Sequence, residues 1–254
     1  MEDAARADGR VLVDNGGTPL ARFVERTRDG RIADLFELES GVNLDDVVPL
    51  VREELRGVRV AGDEALGRAL IEAGGKPQRH ASVYSANPPG KRDPGAWRAP
   101  DGVALTPVDR PADELLPAYR SAYPPDHPDL RHLDAPLDLA ADLRSIARGE
   151  MVGPILRCSG LAIDESTGEV VGAILVADAP GDPPFGGPWI AELFRHRDRA
   201  PAGTGRALLE RALALAARDG LATLGLAVTV GNRAEALYRA LGFARVVTSL
   251  TVVV

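Results

Sequence analysis

The chain has 254 residues, enough for one large or two small domains, and an apolar fraction of 45% allows a sizeable core. Aromatic residues make up only 4%, so that core must be mostly Leu, Val, Ala and Ile. Interspersed acidic (37) and basic (30) residues give a net charge of −7, which argues against nucleic acid as a partner. The single cysteine, Cys158, excludes an internal disulfide and a cysteine-based metal site and reads as a small core residue. The charged start at 1–6 lacks the apolar stretch of a signal peptide, and no apolar run approaches the roughly 20 residues of a membrane span. A cytoplasmic protein with no membrane partner is expected.

In chain order, a short strand is expected over 11–13, with a turn at Asn15-Gly16-Gly17. A helix follows over 45–55, with Val47, Val48, Val51 and Leu55 near helical spacing. A strand over 58–60, a helix over 64–73 stopped by Gly74-Gly75, and a strand over 81–84 complete a small α/β unit. A Pro-, Gly- and charge-rich stretch then reads as a linker. The expected segmentation is therefore 1–90, a linker over 91–101, and a larger domain over 102–254. That domain opens with an edge strand over 103–108, because Pro107 interrupts it. Helices over 112–122 and 139–147 come next, then strands near 159–164, 170–177 and 189–194. The clearest helix spans 203–219, with Leu208, Leu209, Ala212, Leu213 and Ala216 on its apolar side. A strand over 224–230, a short helix over 233–241 and a terminal strand over 246–254 close the chain. This order makes an α+β fold, a mixed sheet flanked by helices, and not an alternating βαβ array.

Chemistry is concentrated where the strand near 189–194 runs through a polar loop into a helix opening on Gly203-Thr204-Gly205. Glycines let backbone approach a ligand, and a helix start presents N–H groups with partial positive charge, so the pattern suits a phosphate or pyrophosphate. Arg199 and Arg206 add cations nearby. The segment is not a Walker P-loop, since no Gly-Lys-Ser/Thr follows, and Leu208 stands where a dinucleotide fingerprint needs its third glycine. The four histidines, His80, His127, His132 and His196, show no metal-ligand spacing, so no metal is expected.

About twenty-five residues on, Asn232-Arg233-Ala234-Glu235-Ala236-Leu237-Tyr238 is followed by Leu241-Gly242-Phe243. Together with Gly203–Gly205, this resembles the Asn-to-Tyr helix and closing Gly-Phe of the GCN5-related N-acetyltransferase (GNAT) family. The element order from about 103 to 254 is similar as well. The family pattern before the helix is Gln/Arg-x-x-Gly-x-Gly/Ala, from which this chain departs at Ala200 and Pro201. The resemblance implies acetyl transfer from acetyl-CoA, a co-substrate, to a primary amine on a small molecule or peptide. It implies a pantetheine arm along Leu193, Phe194 and Arg195, a pyrophosphate on Ala202, Gly203, Thr204, Gly205 and Arg206, and cofactor contact from Asn232. Tyr238 matches the tyrosine that protonates the departing thiolate, and Glu192 is the candidate base for the amine. Asn232 has a second expected role, capping the helix after it. The loop from Tyr123 to Pro136 carries Asp126, His127, Asp129, His132 and Asp134; its acidity suits a cationic amine, and an ordinary solvated loop is the alternative.

Ala65-Leu66-Gly67-Arg68-Ala69-Leu70 echoes Ala236-Leu237-Tyr238-Arg239-Ala240-Leu241, so the N-terminal unit reads as a truncated, degenerate GNAT repeat. Gly67 stands in it where the tyrosine would be. The apolar tail Val252-Val253-Val254 leaves a homodimer open. The competing functions are a CoA-binding or regulatory module without turnover, and the same fold with another acyl donor.

Overall fold

The computed structural model describes residues 8–27, 31–88, 97–125, 127–130, 138–183 and 186–254. They form two compact units, one of Met1–Ser82 with Val247–Val254 and the other Val83–Val246. The segmentation expected from sequence breaks the chain at its linker. The compact units change over inside two strands, at Ser82/Val83 and at Val246/Val247.

The first unit holds strands β1 (Asp8–Val13), β2 (Pro19–Thr27), β3 (Arg31–Leu38) and β4 (Arg59–Asp63), with helices α1 (Leu44–Glu54) and α2 (Glu64–Glu72). It also holds most of β5 (Lys76–Ala86) and of the final strand, β11 (Ala244–Val253). β1, β2 and β3 make an antiparallel meander, β3 and β4 run parallel, and β11 lies antiparallel to β4. The turn between β1 and β2 is held by Asp14, whose carboxylate accepts from the N–H groups of Gly16 and Thr18, both at 2.8 Å. Val47, Val51, Leu66 and Leu70 of the helices pack with Phe23, Phe36, Val60, Leu250 and Val252 in one core. Phe23 and Phe36 stack at 5.3 Å.

The tail expected to be available to a second copy is used within the chain. Val252 pairs with Val60 and is fully buried, which fills that edge of β4. β2 and β3 are absent from the sequence reading. They carry frequent charges and a register irregularity, so their alternation is weak.

The second unit holds β6 (Val103–Thr106), α3 (Ala112–Ala122), α4 (Leu139–Ala147), β7 (Gly160–Asp164), β8 (Val170–Ala179), β9 (Gly187–Arg195), α5 (Thr204–Arg218), β10 (Leu224–Thr229) and α6 (Ala234–Ala240). The strand order β10-β9-β8-β7-β6 is antiparallel except for the parallel pair β9 and β10, which makes the sheet mixed, as expected. β6 ends at Thr106, ahead of Pro107, and forms the sheet edge. β8 is buried from Val170 to Ala177, because α5 supplies one core and α3 with α4 another. Cys158 is a buried thiol, pushed up to about 11 chiefly by that burial.

The two units share an order of elements. In the first, β3-α1-β4-α2 surrounds a parallel strand pair, and in the second β9-α5-β10-α6 does the same. Gly67 of α2 has a structural reason to be glycine. A Cβ there would lie 2.5 Å from the Leu250 Cβ, so no tyrosine fits.

Candidate active site

Three features of the second unit converge: an opening between two strands, a helix start, and a set of phenols around one carboxylate.

The opening comes from β9 and β10. These parallel strands pair at a single register, Gly225 with Trp189. β9 then runs on for six residues to Arg195 along β8 alone. Its outer edge from Glu192 to Arg195 is therefore not taken up by β10, and it offers backbone N–H and C=O groups to an extended, amide-bearing ligand. In the first unit the corresponding strands behave otherwise. β3 and β4 pair at Ile32–Arg59, Ala33–Val60 and Phe36–Gly62, so they stay together. A bulge sharpens the course of β9: Leu175 opposes Glu192 and Val176 opposes Ile190, which leaves Ala191 unpaired. Such an extra residue re-aims the side chains next to it.

The helix start is that of α5. Gly203 adopts a left-handed backbone, φ +91°, which glycine takes without strain. The first intrahelical bond runs from the Ala207 N–H to the Gly203 carbonyl, at 2.9 Å. The N–H groups of Gly205 and Arg206 precede it and have no carbonyl four residues back in the helix. Thr204 is fully buried; its hydroxyl and its N–H both donate to the Pro201 carbonyl, at 2.8 and 3.3 Å. Ala200, standing where the family carries a long polar side chain, is 6% exposed and packs in the core. Arg195 braces the loop from within, its guanidinium donating to the carbonyls of Arg197 and Ala200 at 3.3 Å. The two cations singled out in the sequence are both engaged. Arg199 pairs with Glu169, and Arg206 pairs with Glu210 at 2.9 Å, one helical turn on. Asn232 stands one residue ahead of the α6 N-cap, Arg233, and its side-chain oxygen accepts from the Ala234 N–H at 3.0 Å.

The carboxylate is Glu192. Tyr119 of α3 donates to one of its oxygens at 3.1 Å, and Tyr123, at the end of the same helix, donates to the other at 2.6 Å. Tyr119 packs edge-on against Phe194 of β9, with ring centroids 4.9 Å apart. α3 also holds the loop ahead of α5, since Ser121 accepts from the Arg197 N–H at 2.9 Å. Tyr238 of α6 is 7% exposed and packs on Phe243 at 5.9 Å. Burial, then the charges of Glu192 and Asp129, raise the Tyr238 phenol above its ordinary range, so it is protonated at neutral pH. Tyr119 and Tyr123 are raised too, by burial first and by Glu192 second. Of the acidic loop, His127 and Asp129 are described and lie 3.4 Å apart, and one Asp129 oxygen is buried without a hydrogen-bond partner among the described residues. Asp126, His132 and Asp134 lie outside the described residues.

The Gly-x-Gly turn and the α6 helix thus stand where the sequence puts them, and Glu192 and Tyr238 share one electrostatic environment. The sequence reading missed Tyr119 and passed over Tyr123 as a loop residue. Tyr119 lies within α3 and Tyr123 is the residue that caps its end; their spacing of four was the available signal. Among the described residues no group of His, Cys, Asp or Glu is arranged to hold a metal ion, and no helix is long and apolar enough to cross a membrane.

Residues 113–243 match the family model described as acetyltransferase (GNAT) family. No curated protein matches the sequence. Solved structures similar in fold include a GCN5-related N-acetyltransferase from Sphaerobacter thermophilus, with TM-score 0.65 at 18% identity, covering 99% of this chain and 81% of that one. A tandem GNAT protein from the clavulanic acid biosynthesis pathway has TM-score 0.57 at 16% identity, covering 97% and 82%. A GCN5-related N-acetyltransferase from Kribbella flavida has TM-score 0.52 at 18% identity, covering 96% and 88%. The N-terminal unit is consistent with the tandem arrangement. With more than half of its length matched by the family model, the chain belongs to the acetyltransferase (GNAT) family.

Proposed function

We propose that the second unit transfers an acetyl group from acetyl-CoA to the primary amine of a small molecule or peptide. The observation that carries this reading is the one-register pairing of β9 with β10, beside which Glu192 and the Tyr238 phenol share one field. The residues suit the co-substrate. The outer edge of Leu193, Phe194 and Arg195 matches an amide-bearing arm, and the N–H groups of Gly205 and Arg206 with the glycine turn match a pyrophosphate. Bound there, acetyl-CoA supplies an acetyl group activated as a thioester.

The chain's own groups manage the protons. A protonated amine loses one as it becomes a nucleophile, and the Glu192 carboxylate is its acceptor. Tyr238 keeps its proton at neutral pH and is a donor to the departing sulfur. Burial and two carboxylates oppose the phenolate, so full proton transfer from Tyr238 is uphill. Hydrogen-bond donation to the developing thiolate is the part that the surroundings favour.

Asp129 and Glu192 both act on Tyr238, and the Asp129 oxygen without a partner favours a cationic acceptor. The first unit is read as a truncated, non-catalytic repeat. Its parallel strands do not part, and α1, the counterpart of α5, opens on Asn43 with Asp45 and Asp46 in its first turn, which repel phosphate.

Calorimetric titration with acetyl-CoA, followed by turnover on an amine panel, tests the reading. Saturable binding and faster acetylation of polyamines or aminoglycosides than of uncharged acceptors are expected. Absence of acetyl-CoA binding defeats the proposal. Binding without turnover on any amine supports a CoA-binding module instead, and equal rates on uncharged acceptors defeat the cationic preference alone.

A further inference from the structure

Glu192 is held more tightly than a proton acceptor on an open strand needs to be. A glutamate side chain has three rotatable torsions, and ordering it costs conformational entropy. Here each carboxylate oxygen has its own phenol, Tyr119 on Oε1 at 3.1 Å and Tyr123 on Oε2 at 2.6 Å. The phenols are immobilised in turn. Tyr119 is 2% exposed and wedged between Phe194 and Tyr123, with centroids 4.9 Å from each, and Tyr123 meets the His127 ring edge-on at 4.7 Å. The bulge at Ala191 sets the course of β9 just before Glu192. An extended strand, a bulge, a helix and the residue that ends it thus converge on a single carboxylate.

We infer that Tyr119 and Tyr123 are positioning residues that hold Glu192 ionised and in one orientation toward the incoming amine. This rests on the acetyl-transfer reading above for its role, though not for its geometry. A phenol that donates to a carboxylate favours the charged form, and two of them favour it more. The cost is basicity: a carboxylate bonded twice is a weaker proton acceptor than a bare one. Its main service is therefore to dock the amine as an ammonium ion, which gives up its proton before the nitrogen attacks. Among the described residues, the other titratable groups around the pair include Asp142 of α4, His127 and Asp129 from the segment after α3, and Tyr238 of α6. None of these is altered when a tyrosine becomes phenylalanine.

The test uses the full chain, with Tyr119→Phe, Tyr123→Phe and the double variant. One readout needs no turnover: carbon-13 NMR titration of the Glu192 carboxyl, assigned by its loss in Glu192→Gln. The second is the pH profile of kcat/KM, with kcat and the amine KM separated. Each single variant is expected to move the carboxyl midpoint upward by roughly one pH unit, further for the double variant. The acid limb of kcat/KM moves with it, and amine KM rises more than kcat falls. A carboxyl midpoint unchanged in the double variant overturns the inference even where acetyl transfer is intact. A midpoint that moves in a protein acetylating no amine sustains the clamp and separates its fate from that of the proposed activity.

Discussion

Three of the four tyrosines in the chain sit around one carboxylate, and burial keeps them protonated. Their folded-state pKa lies above the unfolded value near 10. The folded chain therefore retains protons that the unfolded chain has lost at alkaline pH. Stability from these phenols is complete below about pH 10 and falls as pH rises past it. Spectrophotometric titration of the native protein should show three tyrosines silent through the ordinary range and released together on alkaline unfolding; three free titrations near 10 would contradict the burial. At the same scale, Tyr238→Phe should lower kcat by roughly 100-fold or more while acetyl-CoA affinity stays nearly unchanged. Unaltered turnover in that variant removes the donor role. The sequence motif singles out Tyr238 from spacing within one helix. Its nearness to Glu192 and Asp129 involves partners 46 and 109 positions away in the chain, which only folding brings together.

Helices carry the next set of constraints. Gly203→Ala meets no steric obstacle, since the nearest atom to an added Cβ is the Pro100 Cγ at 3.7 Å. Its cost is conformational, about 1–2 kcal/mol for a left-handed backbone. Acetyl-CoA affinity should fall with it, because the N–H groups of the first turn are aimed by that residue; calorimetry on the variant checks this, and unchanged affinity would dissociate the turn from the pyrophosphate. Gly67→Ala in α2 makes the opposite case. Alanine gains up to about 1 kcal/mol in helix propensity, yet its Cβ would lie 2.5 Å from that of Leu250. Overpacking at such a contact costs about 1–3 kcal/mol, so a lower unfolding temperature is expected by calorimetry. Both glycines are visible in the sequence, where one looks like a ligand turn and the other like a defect in a repeat. Only the packing against Leu250 explains the second.

For the whole molecule, the last strand matters most. β11 supplies Leu250 and Val252 to the core of the first unit and lies along β4 from Asp63 to Arg59. A chain ending at Val246 loses both side chains, about 1.5–3 kcal/mol of burial each, together with the β4 pairing. Hydrogen exchange should then show β4 unprotected; intact protection would mean that the first unit stands without its last strand. The helices over 112–122 and 139–147, the strands of the second unit and the Gly-x-Gly turn were all legible from periodicity and punctuation, because each pattern is local. β2 and β3 were not, because their faces alternate poorly and their register is interrupted. What the sequence by itself determined was the family and the mixed α+β order, since these depend on spacing within one element or between adjacent ones. The tertiary structure alone decided that β9 and β10 part after Trp189, that Glu192 lies between two phenols, and that the final strand belongs to the first unit. Each of these depends on pairing or packing between residues far apart in the chain, and no local pattern encodes such contacts.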